Sequence, residues 1–384
     1  MQALLVVISL LASLTAASTT LAGQNGCPVF APSGELYIFG SPYGDLNLGK
    51  EPTGWQTPYI PSGINITALP SRPPFTTANL ICLPSFFLNS VLFINADPND
   101  SNTIHEYFYD KQRWRKISTT GLIPNPDTVK AVIDFDTLVI YAFVDGRMVR
   151  LGDASTNNLS HDLDLDAPFS LEWIDANMSP VPFVGYSKPT MAHAWFNMYF
   201  FGVPGTKAGE VWGYRIHYNE WGLAPQAVGA TFPSMHGQTA TFLYKNASQF
   251  EHNGAPAHVA YIPDDYSGLW VINSYINQTT QAATPPSAGT NSLTRYTASY
   301  NILVQYTPDT GVLRFLDLSW LFQEKPLDPT AKWVDATILN NIPKVVAGVV
   351  IGQNNNPQRT TATKSSSLTT VVGWIVSLTL IFSF

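Results

Sequence analysis

The chain has 384 residues and a formal net charge of −7 at pH 7, and only 12% of its residues are charged, about half the usual share. Its scattered Lys and Arg residues form no basic patch, so nucleic acid is not an expected partner. Aromatic residues also reach 12%, and we expect Ser, Thr, Asn and attached glycans to make the surface polar.

The first segment has the pattern of a secretory signal peptide. Residues 4–14 form an apolar run of the length of a signal-peptide core, and small residues follow it, with cleavage expected after Ala17 or Ala22. We therefore predict that residues 1–22 are removed on export and that residues 23–345 form the mature globular domain.

The chain contains two cysteines, Cys27 and Cys82. In an oxidising compartment the simplest account is one disulfide between them, which would tie the mature N-terminus to a segment about 55 residues further on. Two free thiols are the alternative. Two cysteines alone cannot form a zinc site.

Strand signals then come in pairs, each joined by a turn. Residues 137–144 turn at Asp145-Gly146, the strongest short hairpin signal in the chain, into residues 147–151. The fullest unit, residues 197–221, has an apolar run ending at Gly202, a Pro/Gly turn and a second alternating run. The remaining pairs are 35–40 with the turn after it, 91–95 with 104–109, 258–263 with 269–276, and 301–306 with 312–318.

Tryptophans recur once in each unit, with spacings of 59, 59, 48, 49 and 50 residues. A period near 50 made only of strands and turns is typical of a β-propeller, in which radially packed sheets cover each other's faces. We predict an all-β protein, a six- or seven-bladed β-propeller, with seven blades if residues 231–244 belong to a blade of their own. The recurring residues are Trp55, Trp114, Trp173, Trp221, Trp270 and Trp320.

Several of these segments resemble parts of a kelch repeat. LYIFG at 36–40 and MYFFG at 198–202 resemble its apolar-Tyr-apolar-Phe-Gly strand, and YDKQRW at 109–114 and YNEW at 218–221 resemble its later Tyr-Asp and Trp signature. The chain is thus similar to kelch-like and galactose-oxidase-like propellers. This resemblance implies a binding platform and transfers no catalytic residues.

Residues in or beside turns are the candidates for a binding surface, because exposed rings can stack on sugars while Asp and Asn bind the hydroxyls. The other aromatic residues are expected in the core. Asp162, Asp164 and Asp166 would share one face of a strand, as a Ca²⁺ or sugar site, or would lie in a solvated loop. The aromatic candidates are Tyr43, Tyr59, Trp195 and Tyr266.

The sequence predicts no catalytic residues, no metal and no cofactor. The motifs of serine nucleophile elbows, phosphate-binding loops and zinc proteases are absent from the sequence, and a copper-radical oxidase would need a cysteine that the disulfide occupies. A carboxylate-based hydrolase carries no short signature. Asp134 and Asp136 are therefore either turn residues or a candidate acid pair, and Asp264 and Asp265 are expected to be hairpin-turn residues.

Six N-x-S/T sequons predict N-glycosylated surface loops, although Pro180 directly after one of them disfavours its use. Their asparagines are Asn65, Asn99, Asn158, Asn177, Asn246 and Asn277.

The last segments have the order of a GPI-attachment signal. A linker at 346–367, rich in Asn, Ser and Thr, precedes an apolar tail at 368–384, and the attachment residue would be Asn354 or Ser365. A tail-embedded helix is the alternative.

Taken together, these patterns predict an exported protein tethered to the outer leaflet of the plasma membrane or to a cell wall. Its expected work is surface recognition or adhesion, with an extracellular glycan or a surface protein as partner. The alternative is a secreted carbohydrate-active hydrolase that uses paired Asp residues.

Overall fold

The computed structural model describes part of the chain, and residues 352–384 lie outside that part. The described ranges are 25–50, 52–56, 65–77, 79–152, 159, 164–176, 181–183, 185–225, 228–244, 255–319, 331–346 and 349–351. The predictions that fall outside them are the signal peptide, the GPI signal with Asn354 and Ser365, and Tyr59, Asp162, Asn158, Asn177, Asn246 and Trp320.

The described chain is built from short strands, because blocks of β-branched and aromatic residues alternate with Gly, Asp and Asn turns. The first three groups are β1 (Cys27–Phe30), β2 (Leu36–Ser41) and β3 (Gly44–Asn47); β4 (Ile81–Ser85), β5 (Ser90–Ile94), β6 (Thr103–Phe108) and β7 (Arg113–Gly121); and β8 (Lys130–Ile133), β9 (Ile140–Val144), β10 (Arg147–Leu151) and β11 (Phe169–Asp175).

The second half of the chain continues the same pattern. Its groups are β12 (Thr190–Ala194), β13 (Asn197–Phe201), β14 (Glu210–Arg215) and β15 (Glu220–Pro225); β16 (Val228–Gly229), β17 (Gly237–Thr241), β18 (His258–Pro263), β19 (Leu269–Asn273) and β20 (Gln278–Ala282); and β21 (Arg295–Ala298), β22 (Ile302–Thr307), β23 (Val312–Asp317) and β24 (Val334–Ala336). A hairpin of β25 (Lys344–Val346) and β26 (Val349–Ile351), a short helix α1 (Pro52–Trp55) and 3₁₀ turns at Ile216–Tyr218 and Ile338–Asn341 complete the described elements.

The groups form a ring. The inner strands β1, β4, β8, β12, β17 and β21 contact one another in this order, and β21 contacts β1 again. Radial sheets around a closed ring of inner strands are a β-propeller, which confirms the predicted fold class. Within the described ranges the ring contains six inner strands, and we number their blades from one to six in chain order. Residues 231–244 supply β17, the inner strand of the fifth blade, and not a seventh blade.

Two neighbouring blades are fused. Strands β7 and β11 pair in parallel, so the second and third blades make one eight-stranded sheet. Gly121 permits this pairing, because its φ is +79° and a Cβ at this position would collide with the carbonyl oxygen of Trp173.

Large rings fill the spaces between blades, as the tryptophan spacing predicts. Trp55, which is fully buried, packs edge to face on Phe315 of the sixth blade at 5.5 Å between ring centroids. Trp114 of the second blade lies 5.6 Å from Phe39 of the first. Trp221 packs on Phe200 at 5.3 Å within the fourth blade, and Phe200 in turn lies 6.2 Å from Phe143 of the third. Each sheet thus buries its apolar faces against its neighbours, which an isolated four-stranded sheet cannot do.

Cys27 and Cys82 form a disulfide, which confirms the predicted pairing. The bond joins β1 to β4 and so links the inner strands of the first and second blades. It constrains a chain separation of 55 residues.

Replacing both cysteines by serine is expected to lower the free energy of unfolding by about 4 kcal/mol, because the bond removes loop entropy from the unfolded chain. Urea denaturation followed by tryptophan fluorescence measures this change, and reduced wild-type protein is the matched control. Equal stability of the double variant and the oxidised wild type would contradict the expected role of the bond.

Candidate functional site

The ring presents two faces. Because neighbouring strands within a blade are antiparallel, the turns from first to second strand and from third to fourth strand lie at one end of the ring, which we call the first face. The turns from second to third strand and the connections between blades lie at the other end, the second face.

The aromatic residues predicted for binding do not meet in one place. Trp195 lies in the β12–β13 turn of the first face, whereas Tyr43 and Tyr266 lie in turns of the second face. Tyr43 is 5% exposed, and the Lys344 ammonium lies over its ring at 5.6 Å, so this ring is part of the core. Tyr266 is half-buried and donates its hydroxyl to the carbonyl oxygen of Asn291 at 2.8 Å.

The described part of the acidic strip lies in a turn before β11 and not in a strand, so its carboxylates do not alternate as predicted for a strand. The Asp166 backbone N–H donates to Asp164 Oδ1 at 3.1 Å, and exposed Asp166 pairs with Arg113 at 2.6 Å. This arrangement matches the solvated-loop alternative. The described sequon asparagines, Asn65, Asn99 and Asn277, are exposed.

Four titratable side chains gather at the first face between the third and fourth blades. The β8–β9 turn carries Asp134 and Asp136, strand β12 carries His193, and the 3₁₀ turn after β14 carries His217. His193 Nε2 lies 3.0 Å from Asp134 Oδ1, with both side chains 2% exposed, and His217 Nε2 lies 3.8 Å from Asp136 Oδ2. We call these four residues the acid–histidine cluster.

The local fold fixes Asp134. Its backbone N–H donates to the carbonyl oxygen of Val139 and closes the β8–β9 turn at 2.9 Å, and its Oδ2 accepts the Thr137 hydroxyl at 2.6 Å. Aspartate commonly caps a turn in this way. Asp134 is therefore a turn residue, as predicted, and also a member of the acid–histidine cluster.

Several polar atoms of the cluster lack an aligned hydrogen-bond partner among the described residues. They are Oδ1 of Asp134, Oδ1 of Asp136 and both ring nitrogens of His193. The 3.0 Å approach of His193 to Asp134 is therefore an electrostatic contact without good hydrogen-bond alignment. Unsatisfied buried polar atoms are costly, and in folded proteins they often mark a bound water or a functional site.

The two carboxyl groups differ in acidity. Burial alone would raise the pKa of Asp134, but the His193 ring, Asp136 and Thr137 together outweigh that effect and hold this pKa well below its usual range. Burial, and next the neighbouring Asp134 carboxylate, raise the pKa of Asp136 to about 6. Carboxyl groups whose pKa values are pushed apart are frequent at binding and catalytic sites.

A partly exposed group of three rings adjoins the cluster. Trp195 lies 4.9 Å from Phe196 and 4.6 Å from Tyr275, whose turn belongs to the fifth blade, and Phe196 lies 5.2 Å from the His217 ring. Tyr275 is 63% exposed. We call Trp195, Phe196 and Tyr275 the aromatic ridge.

The backbone holds the ridge in a special conformation. Trp195 has a φ of +55°, which costs a bulky residue about 1–2 kcal/mol. Its N–H donates to the carbonyl oxygen of Pro256 at 2.7 Å. This hydrogen bond offsets part of the cost, and strain of this kind is concentrated at functional sites.

A cavity of about 210 Å³ lies inside the ring, lined by residues of all six inner strands. His193 and Phe135 line its wall towards the first face, and their rings are 5.0 Å apart. The acid–histidine cluster therefore extends from the cavity wall at His193 to the half-exposed His217 beside the aromatic ridge.

Sequence reasoning identified Trp195 and the Asp134 and Asp136 pair but missed the other members of this site. His193 and His217 are scattered single residues in the sequence, and Tyr275 reads as part of a strand. Asn273, Ser274 and Asn277, which favour turns, were the available signal, and the β19–β20 turn does span 274–277.

Comparisons with known proteins add little. No family model matches the chain, and no curated protein matches its sequence. Among solved structures the chain is similar to U3-55K, with 9% identity, 80% of each chain covered and a TM-score of 0.39. The propeller assignment rests on the strand pairing and the closed ring of inner strands.

No three His, Cys, Asp or Glu side chains in the described ranges converge as ligands for a metal ion. No helix there is both long and apolar enough to cross a membrane.

Asp136→Asn is expected to stabilise the protein above pH 6 by about 1–2 kcal/mol. The raised pKa means that the folded state binds more protons than the unfolded state between pH 4 and pH 6, so wild-type stability falls as pH rises through this window. The variant lacks that loss, and its advantage should vanish below pH 4.

Urea denaturation at pH 4 and at pH 7.5 measures this effect, with Asp110→Asn, a change at an exposed turn residue, as the control. A stability difference between Asp136→Asn and wild type that does not change with pH would show that the Asp136 carboxyl titrates normally.

Proposed function

We propose that this protein recognises a glycan at its first face, across the aromatic ridge and the acid–histidine cluster. The observation that carries the proposal is the contact of half-exposed Trp195 with exposed Tyr275, close to the half-exposed polar pair Asp136 and His217. Ring faces cover the apolar C–H faces of a sugar, and carboxylate and imidazole bind its hydroxyl groups.

The positions of these groups suit a ligand longer than one sugar. Trp195 and Phe196 lie in the fourth blade, Tyr275 in the fifth, and Asp136 in the third. A chain of sugars lying across these turns would meet rings at one end and the carboxylate at the other. A site spread over three blades also allows several weak contacts to add up.

We also propose that the protein works outside the cell, as an N-glycosylated surface protein held by a GPI anchor. The Cys27–Cys82 disulfide supports an oxidising compartment. The exposure of Asn65, Asn99 and Asn277 is compatible with attached glycans. The polar linker at 346–367 followed by the apolar tail at 368–384 supports the anchor, with Asn354 or Ser365 as the attachment residue.

A kelch-like relationship is a further part of the proposal. The motif strands at 36–40 and 198–202 both form second strands of blades, β2 and β13. The glycines that end the two motifs, Gly40 and Gly202, have φ values of +63° and +61°. Ser41 and Val203 occupy the position of the second glycine of a kelch doublet.

A carbohydrate-active hydrolase is the second candidate, favoured by the separated pKa values of Asp134 and Asp136. With a pKa of about 6, Asp136 could donate a proton near neutral pH. However, Asp134 is 2% exposed and adjoins Asp136, whereas paired-carboxylate glycosidases hold both groups about 5–9.5 Å apart around the sugar bond. Mass spectrometry of a bound oligosaccharide separates the two functions, because a hydrolase shortens it and a binding protein leaves it intact.

Trp195→Ala and Tyr275→Ala are each expected to weaken binding of a glycan selected on an array by about tenfold or more. Aromatic side chains at the centre of a binding surface contribute most to affinity, and alanine removes the ring. Isothermal titration calorimetry measures the affinity. Tyr266→Ala, a change on the second face, is the matched control and should leave it unchanged. Equal losses in all three variants would place the binding site elsewhere.

Phosphatidylinositol-specific phospholipase C is expected to release the protein from intact expressing cells, because the enzyme cleaves GPI anchors. Immunoblotting of the medium measures the release, with a known GPI-anchored protein of the same cells as control. Retention of this protein while the control is released would contradict the anchor and favour a tail-embedded helix.

A further inference from the structure

The second-face end of the cavity carries positive charge. Arg295 lines the cavity where β21 begins, and Lys130 is the first residue of β8. Strands β8 and β21 stand on opposite sides of the ring of inner strands. Both residues begin their strands at the same face, and the charge of Arg295 acts on Lys130, so the two cations lie near each other at this face. The protein as a whole has a net charge of −7.

These cations are poorly neutralised. Burial, and next the charges of Arg295 and Lys188, lower the pKa of Lys130, and Asp264 acts in the opposite direction. Asp264 itself pairs with His236 at 2.6 Å. Within the described ranges, no carboxylate lies at ion-pair distance from the three cations. Lys188 is exposed, whereas Lys130 and Arg295 are half-buried, and half-buried cations without a close counter-ion favour an anionic ligand.

The guanidinium group is held in place by the backbone. Arg295 Nη1 donates to the carbonyl oxygens of Ser292 and Thr294, both at 3.1 Å. The remaining N–H groups of such a fixed planar fork suit the paired oxygens of a carboxylate.

A buried acceptor lies at the same end of the cavity. Asn25, which is 8% exposed and lines the cavity, donates its Nδ2 to the carbonyl oxygen of Thr77 at 2.5 Å. Its Oδ1 has no hydrogen-bond partner among the described residues. This oxygen needs a donor such as a hydroxyl group.

We propose that the second-face end of the cavity binds a small hydroxylated carboxylate of the sugar-acid class. Its carboxylate lies between Arg295 and Lys130, and one of its hydroxyl groups donates to Asn25 Oδ1. The cavity of about 210 Å³ admits a ligand of this size, and walls formed by Leu80, Ala131 and Met191 cover its apolar side. This site is independent of the glycan site proposed on the first face.

Isothermal titration calorimetry with four probes tests the proposal: glucuronate, neutral glucose, acetate and inorganic sulfate. Wild-type protein should bind glucuronate about tenfold or more tightly than each of the other three, because only glucuronate supplies both the charge and the hydroxyl groups. Raising the salt concentration should weaken this binding.

Arg295→Gln and Lys130→Gln should each reduce glucuronate affinity about tenfold or more, whereas Arg147→Gln, a change at an exposed arginine of the second face, should not. Circular dichroism checks that each variant is folded. If Arg295→Gln does not fold, the glucuronate affinity of Lys130→Gln alone tests the proposal. Asn25→Ala should reduce the preference for glucuronate over acetate.

Any of four results would overturn the proposal. They are absence of saturable glucuronate binding by the wild type, equal affinity for glucose, equal affinity for sulfate, and glucuronate binding that survives Lys130→Gln unchanged.

Discussion

The structure depends on ring closure. A sheet of three or four strands cannot bury both of its faces, so each blade here relies on its two neighbours, and the last blade must meet the first. Contact between β21 and β1 closes the ring, and the packing of Trp55 on Phe315 adds an apolar contact with the sixth blade. Each fully buried aromatic or aliphatic side chain contributes about 1.5–3 kcal/mol to this association. Because the blades supply stability, the turns on both faces are free to differ.

Ring closure also explains how distant residues form one site. Asp134, His193, His217 and Tyr275 come from three blades and meet at the first face because the turns of neighbouring blades are adjacent. The same ring encloses a cavity whose ends differ in charge. Carboxylates and histidines lie towards the first face, and Arg295 and Lys130 lie at the second face. One scaffold thus carries two clusters of side chains with different chemistry, one at each end of the cavity.

The sequence predicted the features that local patterns encode. The tryptophan spacing and the paired strand signals predicted the propeller, and the presence of two cysteines predicted the disulfide. Inner strands such as β8 and β21 escaped notice because they are short and contain few large apolar residues. Both Trp195 and Tyr43 stand beside turns, yet Tyr43 is buried under Lys344, and only the packing of other segments decides this difference. The site histidines are scattered along the sequence and meet only in the folded ring.

Hydrogen–deuterium exchange with and without a bound glycan tests the central claim most directly, because it locates the contact surface without any substitution. The account predicts protection of the first-face turns at 134–139, 195–196, 216–219 and 274–277, with no change in the second-face turns at 42–43 and 264–268. Protection confined to the second face would contradict it.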